Sequence, residues 1–302
     1  MVAPSLTIAK RVGTGTYGSV FRANWRGKRV AVKVLSKVKD ERAKMDTVQI
    51  RELELLKRFK DDRCDNIVLL IDSIESQFDL QIIMEYLPIT LENFLRQSCV
   101  RTSNALSRVP FSIAKDVVAD LSHAVIFLQT RCILHRDIKP GNVCVKSAGQ
   151  PLATAPYSLA ARPTAILCDF GLARDIAPTQ SLPPDSTTNI HGLLHKGEPL
   201  TEKVCTLWYR APEIIQRTGY GLPSDLWSLG LVFVRIAVGR HVFQGTSAAD
   251  QLQLYCKKCT PIYQIPPQFG FWPGFKFLVS GLLTLKPEHR IPTAELERRA
   301  CL

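Results

Sequence analysis

The run Gly13-Thr14-Gly15-Thr16-Tyr17-Gly18 places glycine at its first, third and sixth positions. Glycines so spaced let backbone N–H groups lie over phosphate oxygens without side-chain obstruction. A dinucleotide-binding turn shares the spacing but needs a helix directly after it. Here Ser19-Val20-Phe21 continues as a strand, so a glycine-rich hairpin is expected. Fifteen residues after Gly18, Lys33 ends the apolar stretch Val30-Ala31-Val32. Beside such a hairpin its ammonium can reach the α- and β-phosphates of a nucleotide. It then needs a fixed carboxylate, and Glu52 is the candidate. Glu52 lies one turn from Leu56 and two from Phe59, on the inward side of the next helix.

Farther along stand His135-Arg136-Asp137-Ile138-Lys139-Pro140-Gly141-Asn142 and Asp169-Phe170-Gly171. With these segments the chain resembles the protein kinases, whose catalytic-loop and metal-binding signatures take this form. The resemblance implies that Asp137 orients a substrate hydroxyl and accepts its proton, and that Lys139 neutralises the phosphoryl group in transfer. It implies ATP and Mg²⁺ as cofactors, with Asn142 and Asp169 holding the metal and Lys33 and Glu52 completing the catalytic set. Phosphoryl transfer spreads negative charge over the moving oxygens, so a site must align reactants and supply positive charge. By the same resemblance ATP contacts Val12, the run from Gly13 to Gly18, Val20 and Ala31. Met84, Glu85, Tyr86 and Leu87 fall on the gatekeeper and hinge, with backbone groups of Glu85 and Leu87 expected to bond adenine. Cys144 matches the adenine floor and Cys168 the back of the site. Ala211-Pro212-Glu213 and Asp225-Leu226-Trp227-Ser228-Leu229-Gly230 match anchoring segments, and Arg290 matches the late arginine that pairs with Glu213. The resemblance covers residues 6–300.

Within that superfamily the chain is most similar to the cyclin-dependent kinases. The glycine run, the helix segment from Thr47 to Lys57 and Thr206-Leu207-Trp208-Tyr209-Arg210-Ala211-Pro212-Glu213 carry the likeness. It implies Ser/Thr-Pro substrates, with Arg210 shaping the pocket for proline. It also implies a cyclin-like regulatory subunit and a role in cell-cycle or transcription-type regulation. Thr201 matches an activating phosphothreonine, a target for an activating kinase, with Arg51, Arg136 and Arg174 as the arginines around its phosphate. Thr16 and Tyr17 match inhibitory phosphorylation sites. Two other readings stay open. One is a MAP-kinase-like enzyme, although Lys203 and Leu207 depart from that pattern. The other is an inactive kinase-fold scaffold, although every catalytic position is filled. Thr90 replaces the acid expected near the ribose, and the chain is longer than the family pattern at 147–162 and 176–199.

The elements that must position these residues divide into two sets. The first third reads as strands with one helix, from about Asp46 to Phe59, with Asp46 and Gln49 in capping-box positions. Strands are expected at Ile67–Ile71 and Leu80–Glu85. After Pro88 the pattern turns helical, at Leu91–Cys99, Phe111–Arg131, Asp225–Val238 and Phe275–Leu285. The expected architecture is α+β and bilobal: one kinase domain over 1–302, with a small antiparallel lobe at 1–87 and a larger helical lobe at 88–302.

Composition adds little beyond class. With 46% hydrophobic and 22% charged residues, the chain can bury a core and is not broadly disordered. Its formal charge of +12 comes without an aromatic-interleaved basic stripe, so no direct nucleic-acid binding is expected. The apolar window Leu226–Val238 is too short to span a bilayer and reads as a buried helix, so no membrane contact is expected. The opening residues lack a basic segment followed by a long apolar run. The nine cysteines are therefore expected as reduced thiols in nucleus or cytoplasm. Cys256 and Cys259 form a C-x-x-C with no second pair, so zinc is not expected there.

Overall fold

The computed structural model describes residues 6–15, 18–36, 47–97, 109–147, 162–176, 207–219, 221–257, 265 and 274–300. Its first part is an antiparallel sheet of β1 (Leu6–Gly15), β2 (Gly18–Trp25), β3 (Lys28–Ser36), β4 (Leu70–Glu75) and β5 (Asp79–Glu85). The spatial order is β1-β2-β3-β5-β4. Strand alternation splits β5 between two cores. Ile83 packs outward with Ala23, Trp25, Val30 and Val32, while Leu80, Ile82 and Met84 face the main core. Helix α1 (Thr47–Asp62) covers that inner face with Leu53, Leu55, Leu56 and Phe59.

The helix runs three residues beyond the expected Phe59; Asp46 lies outside the described residues. The strand expected at Ile67–Ile71 begins only at Leu70. Ile67 instead makes an isolated parallel bridge to Leu167, and Val68 N donates to Leu167 O at 3.0 Å. Those apolar residues are buried because they dock onto the second part of the chain, so hydrophobicity there marked a contact and not a strand.

The second part is mainly helical: α2 (Leu91–Gln97), α3 (Phe111–Gln129), α4 (Pro212–Gln216), α5 (Leu222–Val238), α6 (Ala248–Lys257), α7 (Phe275–Leu282) and α8 (Thr293–Ala300). Every residue of α5 is buried, as expected for its apolar window. It starts three residues earlier than expected because Pro223 sits in the first turn, where a missing N–H costs nothing. Among the described residues no helix is long and apolar enough to cross a membrane. At Gly230 a side chain would come within 2.9 Å of Leu282 and Leu283, so glycine sets the close approach of α5 to α7. Five short strands had escaped the sequence pattern: β6 (Ile89–Thr90), β7 (Ile133–Leu134), β8 (Val143–Ser147), β9 (Pro163–Leu167) and β10 (Arg174–Asp175). They pair as β6-β8-β9 and β10-β7, framing the loops that carry His135–Asn142 and Asp169. Antiparallel sheet on one side and helices on the other make the fold α+β and bilobal, as expected.

Arg290 fixes the lower part of this assembly. Its guanidinium is buried and meets the Glu213 carboxylate bidentately, at 2.7 and 2.8 Å. It also donates to Pro223 O at 2.7 Å and Thr284 O at 3.0 Å. Ser224 Oγ donates to Glu213 Oε1 at 2.7 Å, so α4, α5 and the chain before α8 share one satisfied ion pair. Removing one partner of such a pair leaves an uncompensated buried charge. Arg290→Ala is therefore expected to cost about 3–5 kcal/mol of stability in urea unfolding. The double replacement Arg290→Met/Glu213→Leu should cost clearly less, and equal losses would show that the charge itself is not the issue.

Candidate functional site

The glycine hairpin is formed by β1 and β2, with Gly13 opposite Val20, Thr14 opposite Ser19 and Gly15 opposite Gly18. Gly18 is required for a reason the sequence did not suggest. A Cβ there would stand 2.4 Å from Val34 O and 2.7 Å from Leu35 Cδ2, so glycine lets the hairpin lie against β3. Beneath the hairpin is a cavity of about 580 Å³, within the range of small-molecule sites. Val12, Gly13, Val20 and Ala31 line it on the sheet side. Met84, Glu85, Tyr86 and Leu87 line it at the connection between lobes, and Cys144 and Cys168 also face it. Gly18 is not among its lining residues; Thr16 and Tyr17 lie outside the described residues. The Glu85 N–H already donates to Leu69 O at 3.0 Å, which leaves only the carbonyl of that residue for adenine.

Inside the cavity one lysine serves two carboxylates. Lys33 Nζ lies 2.7 and 2.8 Å from the Glu52 oxygens and 2.7 Å from Asp169 Oδ1. Lys33 and Glu52 are 4% and 2% exposed, so both charges are out of water. Burial alone would lower the lysine pKa, but Glu52 and Asp169 outweigh it and raise it. Burial also opposes ionisation of Asp169, yet Lys33 holds that carboxyl below its usual range. The Glu52 carboxyl is pushed up by burial, with Lys33 pulling against it. One ammonium thus lies between two carboxyl groups, an arrangement that suits a further cation beside Asp169.

Below the cavity runs the loop from His135 to Asn142. Asp137 Oδ2 accepts from Lys139 Nζ at 2.8 Å and from Asn142 Nδ2 at 2.7 Å. The amide nitrogen of Asn142 also reaches Asp137 O at 2.9 Å, so its Oδ1 remains as an oxygen donor. Oxygen donors of this kind are what Mg²⁺ takes. Asn142 and Asp169 both line the cavity that holds Lys33, and this donor set fits the metal that the resemblance implies.

The loop is bent by Arg136, whose φ of 70° lies in the left-handed region that side chains disfavour. Asp225 at the start of α5 stabilises that bend, accepting from His135 N at 2.7 Å and Arg136 N at 3.0 Å. Burial pushes the Asp225 carboxyl up, against the pull of His135 and of these two hydrogen bonds. In the sequence Asp225 is legible only as part of an anchoring segment, because its partners His135 and Arg136 lie some ninety residues earlier. Asp169 also has positive φ, 64°, and the turn sends Phe170 into the core. There its ring meets His135 at 4.9 Å and Phe59 of α1 at 5.0 Å, centroid to centroid. His135 Nε2 is 3.0 Å from Cys168 O, which ties the loop to the strand before Asp169.

The remaining expected residues are more dispersed. Arg51 precedes Glu52 on α1, and its Nη1 is buried without a hydrogen-bond partner among the described residues. Arg174 lies opposite Leu134, next to the loop that carries Arg136. An ion pair between Arg58 and Asp175 links α1 to the same strand. Thr201 lies outside the described residues, as do most of the two long stretches at 147–162 and 176–199. Arg210 is half-buried, with its carbonyl accepting from Tyr255 OH at 2.9 Å. No cluster of three or more metal-ligating His, Cys, Asp or Glu side chains occurs among the described residues; Cys259 falls outside them.

A family model described as protein kinase domain matches residues 6–300. Cyclin-dependent kinase 4 of Xenopus laevis is 31% identical over 248 residues, covering 80% of this chain. The match spans 66% of that protein's length, slightly less than two thirds.

The geometry around Asp137 yields a test. Asp137→Asn keeps the shape but removes the proton acceptor, and general-base contributions are typically about 10²–10⁴-fold. Phosphoryl transfer from Mg-ATP should fall by about that factor, with nucleotide affinity nearly unchanged in a binding titration. Unchanged turnover would remove Asp137 from the chemistry.

Proposed function

Because the chain belongs to the protein kinase family, we propose that it transfers the γ-phosphate of ATP to Ser or Thr hydroxyls of proteins, in the manner of cyclin-dependent kinases. The observation that carries this reading is the convergence of Lys33, Glu52 and Asp169 on one cavity, above a loop where Lys139 and Asn142 hold Asp137. Lys33 would bind the α- and β-phosphates while Glu52 keeps its ammonium in place. Asp137 would receive the hydroxyl proton, and Lys139, 2.8 Å from it, would place positive charge beside the transferring group. Mg²⁺, held by Asn142 and Asp169, would supply the remaining charge neutralisation when bound.

The finer parts of the proposal rest on the likeness to cyclin-dependent kinases. Substrates would carry Ser/Thr-Pro sites, with Arg210 next to the residue that follows the phosphorylated one. A cyclin-like subunit would act on α1, and the setting would be cell-cycle or transcription-type regulation in nucleus or cytoplasm. An activating kinase would phosphorylate Thr201, whose phosphate brings about −1.5 to −2 charge toward Arg51, Arg136 and Arg174.

The deciding experiment is a steady-state assay of the purified chain with Mg-ATP and paired peptides that differ only in Pro or Ala after the serine. Transfer with a clear preference for the Pro peptide is expected, and Arg210→Ala should flatten that preference. No transfer to any peptide, with or without a co-purified partner, would sink the kinase reading; equal rates would sink proline direction alone. Separately, Thr201→Ala is expected to lower kcat several-fold in protein isolated from its native cells. Undiminished turnover there would refute the phosphorylation switch.

A further inference from the structure

Two free thiols lie on the wall of the nucleotide cavity, and beyond lining it neither has a part in the transfer chemistry. Cys144 lies on β8 opposite Ile166 of β9, and Cys168 follows Ile166 by two residues. Residues two apart on a strand face the same side, so Cys144 and Cys168 are diagonal neighbours on one face. The ladder continues past the end of β9, where Cys168 N donates to Asn142 O at 2.8 Å, so this diagonal is held by backbone bonds. The neighbouring Cys144 thiol and burial push the Cys168 thiol pKa up, and its sulfur also reaches Ile166 O at 3.5 Å. Both residues line the cavity together with Lys33 and Asp169.

Two chemistries use paired thiols. A disulfide needs Cα atoms no farther apart than about 7 Å, whereas diagonal cross-strand neighbours usually stand about 7–8 Å apart. Closing that bond would pull on strands that position Asn142 and Asp169. A single large, soft acceptor atom between the sulfurs makes no such demand, because it spans the gap with two bonds in place of one. Soft acceptors prefer sulfur to the oxygen and nitrogen donors nearby.

We propose that Cys144 and Cys168 form a dithiol site for trivalent arsenic compounds, and that occupancy fills the adenine end of the cleft. With an arsenoxide, R–As=O, two S–H bonds break and two As–S bonds form. The oxygen leaves as water with both protons, and arsenic stays trivalent, so no oxidant or reductant is needed. The dithiol itself rests on strand geometry; only its competition with ATP rests on the nucleotide-site reading.

The test uses the full chain and one equivalent of phenylarsine oxide, followed by intact mass, thiol counting and peptide mapping. The chain has nine cysteines, so mapping decides the site. The expected product is one phenylarsenic group bridging the peptides that contain Cys144 and Cys168, with two thiols lost and both restored by dimercaptopropanol. ATP should slow its formation several-fold, and Cys144→Ala and Cys168→Ala should each abolish the bridged species. Because mapping is done on the unsubstituted chain, a poorly folding variant does not weaken the result. A bridge mapped to other cysteines, or uptake unchanged in both variants, overturns the proposal. A bridge at Cys144 and Cys168 that ATP does not slow upholds the dithiol site and counts against the nucleotide reading.

Discussion

One lysine shared between two carboxylates sets the terms for the rest of the molecule. Lys33 is buried with Glu52, and taking either charge from water alone would cost several kcal/mol. Their pairing is tolerable only if both ends are held in register, and each end belongs to a different element. Lys33 is fixed by β3, paired to β2 and β5 on either side. Glu52 is fixed by α1, whose Leu53, Leu55, Leu56 and Phe59 are buried in the core. Asp169 joins from the other lobe, so the ion contact inside the cavity also couples the two halves of the fold.

A similar economy governs the loop below. Asp137 follows a left-handed bend at Arg136, and Lys139 and Asn142 hold its carboxylate there. That bend is unfavourable in isolation and persists because surrounding structure over-determines it. Asp225, in the first turn of the buried helix α5, provides the determination by accepting from the backbone N–H groups of His135 and Arg136. Phe170 does the same for the turn at Asp169, with its ring enclosed by His135 and Phe59. Strain thus stays local to the functional turns, and buried polar or aromatic partners on rigid helices hold it there.

This division explains what the amino-acid order disclosed. The residues that would handle phosphate and proton under the proposed function, Lys33, Glu52, Asp137, Asn142 and Asp169, could be named from their types and spacing. The structure brings Lys33, Glu52 and Asp169 together and Asn142 against Asp137. Buried α5 was legible from its apolar run. The strands β6 to β10 were not, because two- to five-residue pieces carry too few alternations to register. Ile67 and Val68 misled for a related reason: an apolar pair looks alike whether it joins a sheet or docks between lobes. Asp225 and Gly18 were visible as parts of motifs, yet their reasons are contacts distant in sequence, with the catalytic loop and with Val34.

The energetics also separate what holds α1 from what decorates it. The pairs Arg58–Asp175 and Arg131–Asp62 link α1 to the larger lobe, but their side chains are about one-third to one-half exposed. Exposed pairs of this kind contribute about 0.2–1 kcal/mol each and weaken with salt. They bias the helix without fixing it. The buried Lys33–Glu52 pair and the packing of Phe59 against Phe170 and Phe127 carry the larger share, and both need α1 in its present place. A displacement of α1 would therefore strip Lys33 of one carboxylate and Phe170 of one wall together. The setting of Lys33 and the turn at Asp169 are thus linked through a single helix, and its exposed face presents Glu54, Lys57 and Arg58 to whatever approaches it.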